Sequence, residues 1–122
     1  MHTRRYSSTT QNPTGDAQLA ADIWADNLFA KKILELDGVG SYASEEREDV
    51  LISGEGLSVA IDPLDGSSNL LSNNMIGTIV GVYDSPLPTS GTNLIAAAYV
   101  LYGPVTTMVR AHSGSVKAYQ IA

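Results

Sequence analysis

Two aspartates close an apolar run in the segment IDPLDGSSNLL, Ile61 to Leu71, and a glycine and two serines follow at once. A turn accounts for Pro63 and Gly66, because proline pre-sets its backbone angle and glycine reaches conformations closed to other residues. It does not account for an acid on each side of Pro63-Leu64. Hard divalent cations such as Mg2+ take oxygen ligands, commonly one or two carboxylates completed by phosphate and water. Asp62 and Asp65 therefore read as metal ligands. The backbone amides of Gly66, Ser67 and Ser68, opening a short helix through Asn69, read as a cradle for phosphate oxygens. Metal carboxylates beside an anion cradle are the parts that metal-assisted phosphoryl chemistry needs.

The other acids give weaker signals. On a helical wheel Asp22 falls within roughly 20° of Phe29 and Ile33, so it is either a solvated helix edge or a buried site residue. Asp26, four residues on, is a like-charge neighbour that costs helix stability. The run SEERED, Ser44 to Asp49, reads as a solvated loop. Adjacent Glu45 and Glu46 point to opposite faces of a regular strand, and share one site only at a strand end where alternation breaks down.

These residues need a scaffold, and 122 residues suffice for one domain with a modest core. Hydrophobic residues make up 43% and charged ones 16%, an ordinary globular balance. No apolar stretch approaches the roughly 20 residues of a membrane span, and no apolar segment follows Arg4 and Arg5, so neither membrane nor secretion is expected. With no cysteine there is neither a disulfide frame nor a thiolate site, and the expected compartment is the cytoplasm. Thirteen acids against seven Lys and Arg give a net charge of −6, which argues against nucleic acid as partner. An acidic chain that handles phosphates must recruit positive charge, most simply as metal ions.

Residues 1–13 read as a flexible arm. From Asp16 to about Leu36 the pattern is helical, with Leu19, Ile23, Ala30, Ile33 and Leu34 on one face and a glycine stop in LDGVG. Strands follow: GSYAS, DVLIS, LSVAID after the turn SGEG, then MIGTIVGVYD and NLIAAAYVLYG, apolar enough for burial on both faces. VTTMVRA, the turn HSGS and VKAYQIA make a closing hairpin. The class is α/β, one long helix across a mixed, largely antiparallel sheet, which leaves a sheet face uncovered. Trp24, Phe29, the tyrosines, Met75 and Met108 read as packing residues, and His2 and His112 have no partner at metal-ligand spacing.

The segment DPLDGSSN resembles the signature of class I fructose-1,6-bisphosphatases, within the lithium-sensitive, Mg2+-dependent sugar- and inositol-phosphatase superfamily. The flanking pieces NPTGDAQLAAD, SEE, GTIVGVY and NLIAAAYVLYG are similar in order and spacing, so the resemblance runs from about Asn12 to the C-terminus. It implies the N-terminal domain of the layered α/β sugar-phosphatase fold, here residues 14–122, without the C-terminal domain. It also implies a metal set of Glu45, Glu46, Asp62, the Leu64 carbonyl and Asp65, holding two or three Mg2+ ions, with Mn2+ as substitute. Asp16 and Asp22 would order the site and activate water, Glu46 or Asp22 would take the water's proton, and Asp65, Gly66, Ser67 and Ser68 would hold the substrate.

The implied reaction removes the 1-phosphate of fructose 1,6-bisphosphate, and the implied full-length assembly is a homotetramer. Inositol monophosphatase-like or sedoheptulose-1,7-bisphosphatase activity, or a non-catalytic metal- and phosphate-binding fragment, are the alternatives. The family's chains are roughly three times longer and carry the sugar site and a further metal-binding glutamate beyond this part, as a two-domain size allows. AMP-regulated members carry a Lys-Tyr pair where Gly56-Leu57 stand here and an Arg where Asp84 stands. AMP titration of the full-length enzyme is therefore expected to leave its activity unchanged.

Overall fold

The structure is a computed structural model that describes residues 13–69 and 75–121. The arm expected over residues 1–13 lies outside these, apart from Pro13. One helix, α1 (Pro13–Leu34), precedes seven strands: β1 (Val39–Ser44), β2 (Leu51–Ile52), β3 (Leu57–Asp65), β4 (Ile76–Tyr83), β5 (Leu94–Tyr102), β6 (Thr107–His112) and β7 (Ser115–Gln120). They form one sheet in the order β2-β1-β3-β4-β5-β6-β7. Among the described residues only β1 and β3 run parallel, and the other pairs are antiparallel.

The helix begins at Pro13, three residues before the expected Asp16, with proline at a first position that needs no backbone donor. It packs chiefly on β1 and β3. Its buried face differs from the expected one. Ala25 and Ala30 are buried and Phe29, Ile33 and Leu34 pack on the core, but Ile23 is 48% exposed while Asp22 and Asp26 are buried. The apolar half of the helix covers Tyr42 and Ile61. Its N-terminal half turns acids inward because the sheet beneath it ends in polar turns.

Several packing expectations fail, with Tyr99 and Tyr119 exposed as well as the two residues that follow. Trp24 is 68% exposed, since it sits about 200° around the helix from Asp22. Met75 is also exposed, standing just ahead of β4. Neither β4 nor β5 is buried on both faces: Ile79 and Tyr99 are exposed on the face away from α1. The expected uncovered face is therefore present, and it belongs to these central strands. The β6–β7 turn has Ser113 and Gly114 both left-handed, as a two-residue hairpin turn requires.

Candidate metal and phosphate site

The site lies beyond the carboxyl ends of the parallel pair β1 and β3, where crevices in sheets with parallel strands open. β1 stops at Ser44, which is level with Ile61, so the following Glu45 and Glu46 arrive beside Asp62. Three bonds fix that turn: Glu45 N–H donates to the Ile61 carbonyl (3.1 Å), Glu46 N–H to Ser44 Oγ (3.1 Å), and Arg47 N–H to the Ser44 carbonyl (3.1 Å). The strand ends, alternation lapses, and both glutamates face one point. Carboxylate oxygens of Glu45, Glu46 and Asp62 lie within 4.8 Å of one another.

β3 solves a second geometric problem. In a regular strand Asp62 and Asp65, an odd number of residues apart, would point to opposite faces. Asp62 pairs with Ile79 and Asp65 with Gly77, so three steps of β3 span two of β4. The extra residue is a β-bulge, and it returns Asp65 to the face of Asp62. Gly77, the partner of Asp65, has no room for a side chain on its other side: a Cβ there would lie 2.5 Å from the Val100 carbonyl oxygen of β5. The bulge also takes the buried Pro63 carbonyl off the ladder, and Thr78 Oγ1 donates to it at 2.8 Å while lying 2.7 Å from the Tyr102 hydroxyl. Thr78→Val keeps the shape and orphans that carbonyl, so it is expected to cost about 1–3 kcal/mol in a denaturant melt.

Burial at the end of β3, then the hydrogen bond and negative charge of Glu45, push the Asp62 carboxyl up from 3.8 to about 6, against the Leu64 N–H and Asp65, which pull it down. Such a shift marks a carboxylate drawn out of water and set beside another acid. The donors are all oxygen, and three carboxylates fit a hard divalent cation. Asp65 is exposed and borders Asp62, but lies outside the group of three.

After Asp65 the chain turns at Gly66, left-handed with φ 79°, into a single 3-10 turn, Ser67–Asn69. Ser67 is buried, donates to Asp22 Oδ2 at 3.2 Å and accepts from Gln18 Nε2 at 3.3 Å, which ties the turn to α1. Asp22 is thus a buried residue, 1% exposed, and not a solvated helix edge. Asp16, where the helical pattern was expected to begin, stands half-buried in the first helical turn.

Behind the glutamates lies a group that the sequence reading missed. Asp26 Oδ1 accepts from the Tyr42 hydroxyl at 2.8 Å, and Asp26 Oδ2 lies 2.6 Å from Arg47 Nε, a close ion pair without aligned hydrogen-bond geometry. Burial and Asp26 together hold the Tyr42 hydroxyl firmly protonated. The signal was the i,i+4 pair Asp22 and Asp26, read only as repulsion. Of the basic residues that could meet a second phosphate, Arg47 is engaged here and Arg110 donates to the Tyr119 hydroxyl. Arg110 and Lys117 pair across β6 and β7, and β6 lies three strands from β3, roughly 14 Å at ~4.8 Å per strand.

A helix on a mixed sheet, with carboxylates gathered at strand ends beside a serine turn, defines an α/β protein with an oxygen-donor cation site next to an anion turn. The chain belongs to the fructose-1,6-bisphosphatase family: residues 6–122 match the family described as "Fructose-1-6-bisphosphatase, N-terminal domain". It is 58% identical over 115 residues to "Fructose-1,6-bisphosphatase class 1 1" of Haloarcula marismortui, covering 94% of this chain and 40% of that protein. It is 56% identical over 115 residues to "Fructose-1,6-bisphosphatase class 1" of Natronomonas pharaonis, covering 93% and 41%. The crystal structure of Leishmania major fructose-1,6-bisphosphatase in holo form superposes with a TM-score of 0.74 at 28% identity, covering 83% of this chain and 37% of that one. The chain thus spans about two fifths of the curated relatives it matches.

Proposed function

We propose that this chain is the metal- and phosphate-binding part of a Mg2+-dependent phosphatase that hydrolyses the 1-phosphate of fructose 1,6-bisphosphate to fructose 6-phosphate and phosphate. The observation that carries the reading is the convergence of Glu45, Glu46 and Asp62 within 4.8 Å at the strand ends of a family member. Those three, with Asp65 and the Leu64 carbonyl, would hold the ions. Bound there, a divalent cation neutralises phosphate charge, lowers the pKa of water and stabilises the leaving oxygen.

The remaining work falls to the chain itself. The Gly66–Ser67–Ser68 turn receives the phosphate, and Asp22 with Gln18 holds the Ser67 hydroxyl in place. Water attacks phosphorus as the bond to the sugar oxygen breaks. The proton released by water goes to a Glu46 carboxylate oxygen. Glu46 suits this role better than Asp22, because it is partly exposed within the cluster whereas Asp22 is buried against Ser67. Asp16 orders the first turn of α1. Homo-oligomeric assembly in the cytoplasm follows from the resemblance alone.

Mg2+-dependent phosphate release from fructose 1,6-bisphosphate, compared with inositol monophosphate and sedoheptulose 1,7-bisphosphate, tests the reading. Preference for the first supports it. Preference for either of the others would replace the substrate, and cation binding without release from any would reduce the chain to a binding module.

A further inference from the structure

The two glutamates of the cluster are bracketed in sequence by residues that share one buried partner. Tyr42 stands three residues before Glu45 and Arg47 directly after Glu46, and both reach the Asp26 carboxylate on α1, at 2.8 Å and 2.6 Å. Tyr42 is fully buried and Asp26 is 3% exposed, while Arg47 adds a bond from its guanidinium to Asn27 Oδ1 at 2.8 Å. The backbone N–H groups of the turn donate to Ser44 and Ile61, and both belong to the strands. The side-chain contacts to Asp26 join the turn to the helix, which also bears Asp22 and Gln18, the partners of Ser67.

We propose that Asp26, Tyr42 and Arg47 act as positioning residues, a clamp on both flanks of Glu45-Glu46 that sets where this carboxylate pair stands relative to Asp62. The proposal rests on the cation-binding reading of the cluster. Partners behind a metal's ligands typically change its affinity about 10–100-fold when removed, because they fix the ligands' orientation. Arg47 makes the effect separable from simple charge. Arg47 follows Glu46 directly in sequence and carries a positive charge, so by Coulomb's law alone its removal would strengthen cation binding. As a clamp, its removal weakens cation binding. The two accounts differ in sign.

The test is Mn2+ titration, followed by electron paramagnetic resonance, of the wild-type chain and of Arg47→Met, Arg47→Lys and Tyr42→Phe, each well below its melting temperature. The clamp requires Arg47→Met to bind Mn2+ about tenfold more weakly, Arg47→Lys to recover part of the loss, and Tyr42→Phe to lose affinity with no change of charge. If Arg47→Met is too unstable to titrate, Arg47→Lys and Tyr42→Phe decide, since both keep size and remove one clamp contact. Unchanged or tighter binding in folded variants overturns the clamp while leaving the cation site intact. Failure of the wild type itself to bind Mn2+ overturns the cation-site reading, and the clamp with it.

Discussion

On the proposed phosphatase reading, replacing Asp62 with asparagine is expected to lower Mg2+-dependent phosphate release by roughly a thousandfold, equivalent to roughly 4 kcal/mol of transition-state stabilisation at 1.36 kcal/mol per decade. The same change is expected to raise the thermal stability of the metal-free protein at pH 7.5. Asp62 titrates at about 6 in the folded chain against 3.8 ordinarily, so folding favours its protonated form. Its contribution to stability is fully present below 3.8 and is lost as the pH rises through about 6. At pH 7.5 the ionised carboxylate beside Glu45 destabilises the fold, and asparagine removes that charge. Mg2+ is expected to reverse the order if Asp62 is a ligand, since a bound cation stabilises the chain that offers it. Below pH 6 the proton competes with the cation, and apparent affinity should fall about tenfold per pH unit. Thermal melts of both proteins with and without Mg2+ check the crossing. A variant still stabilised by Mg2+ as strongly as the wild type would show that Asp62 is not a ligand.

Asp62 and Asp65 stand out in the sequence because two acids around Pro-Leu exceed what a turn needs, and of the two only Asp62 falls in the group of three carboxylates found among the described residues. The strands were legible from their β-branched runs and the glycine and proline punctuation between them. How the aspartates come to one face was not, because a bulge is a property of pairing: it appears only when Asp62 is set against Ile79 and Asp65 against Gly77. Glu45 and Glu46 were ambiguous for the same reason, since whether a strand ends at Ser44 depends on its neighbour. The helix misled most. A wheel sorts residues by polarity, and it put Ile23 inward and left Asp26 as a cost, whereas the sheet under α1 offers Ser67, Tyr42 and Arg47 as partners for acids. Tertiary hydrogen bonding outweighed the periodicity of apolar residues, and that information lies 16 to 45 residues away in sequence.

Asp26→Ala measures how far that reversal goes. Read as a helix surface, the substitution should stabilise the chain, since it removes an i,i+4 repulsion with Asp22 worth about 0.2–0.5 kcal/mol. Read as a buried partner, it strips the acceptor from the Tyr42 hydroxyl, fully buried, and from Arg47, whose side chain is 28% exposed. Breaking a buried pair from one side costs about 3–5 kcal/mol, and the partial exposure of Arg47 places the expected loss near the lower end, about 3 kcal/mol. That is a large fraction of the roughly 5–15 kcal/mol that holds a domain folded. The loss should be recoverable in part. With the acceptor gone, Tyr42→Phe deletes an orphaned hydroxyl, so the double variant should be about 1–2 kcal/mol more stable than the sum of the single changes predicts. Urea melts of the four proteins in this cycle give the coupling, provided the slope of the transition stays constant. Strict additivity would mean that the 2.8 Å bond contributes nothing to stability, and stabilisation by Asp26→Ala alone would restore the surface reading of the helix.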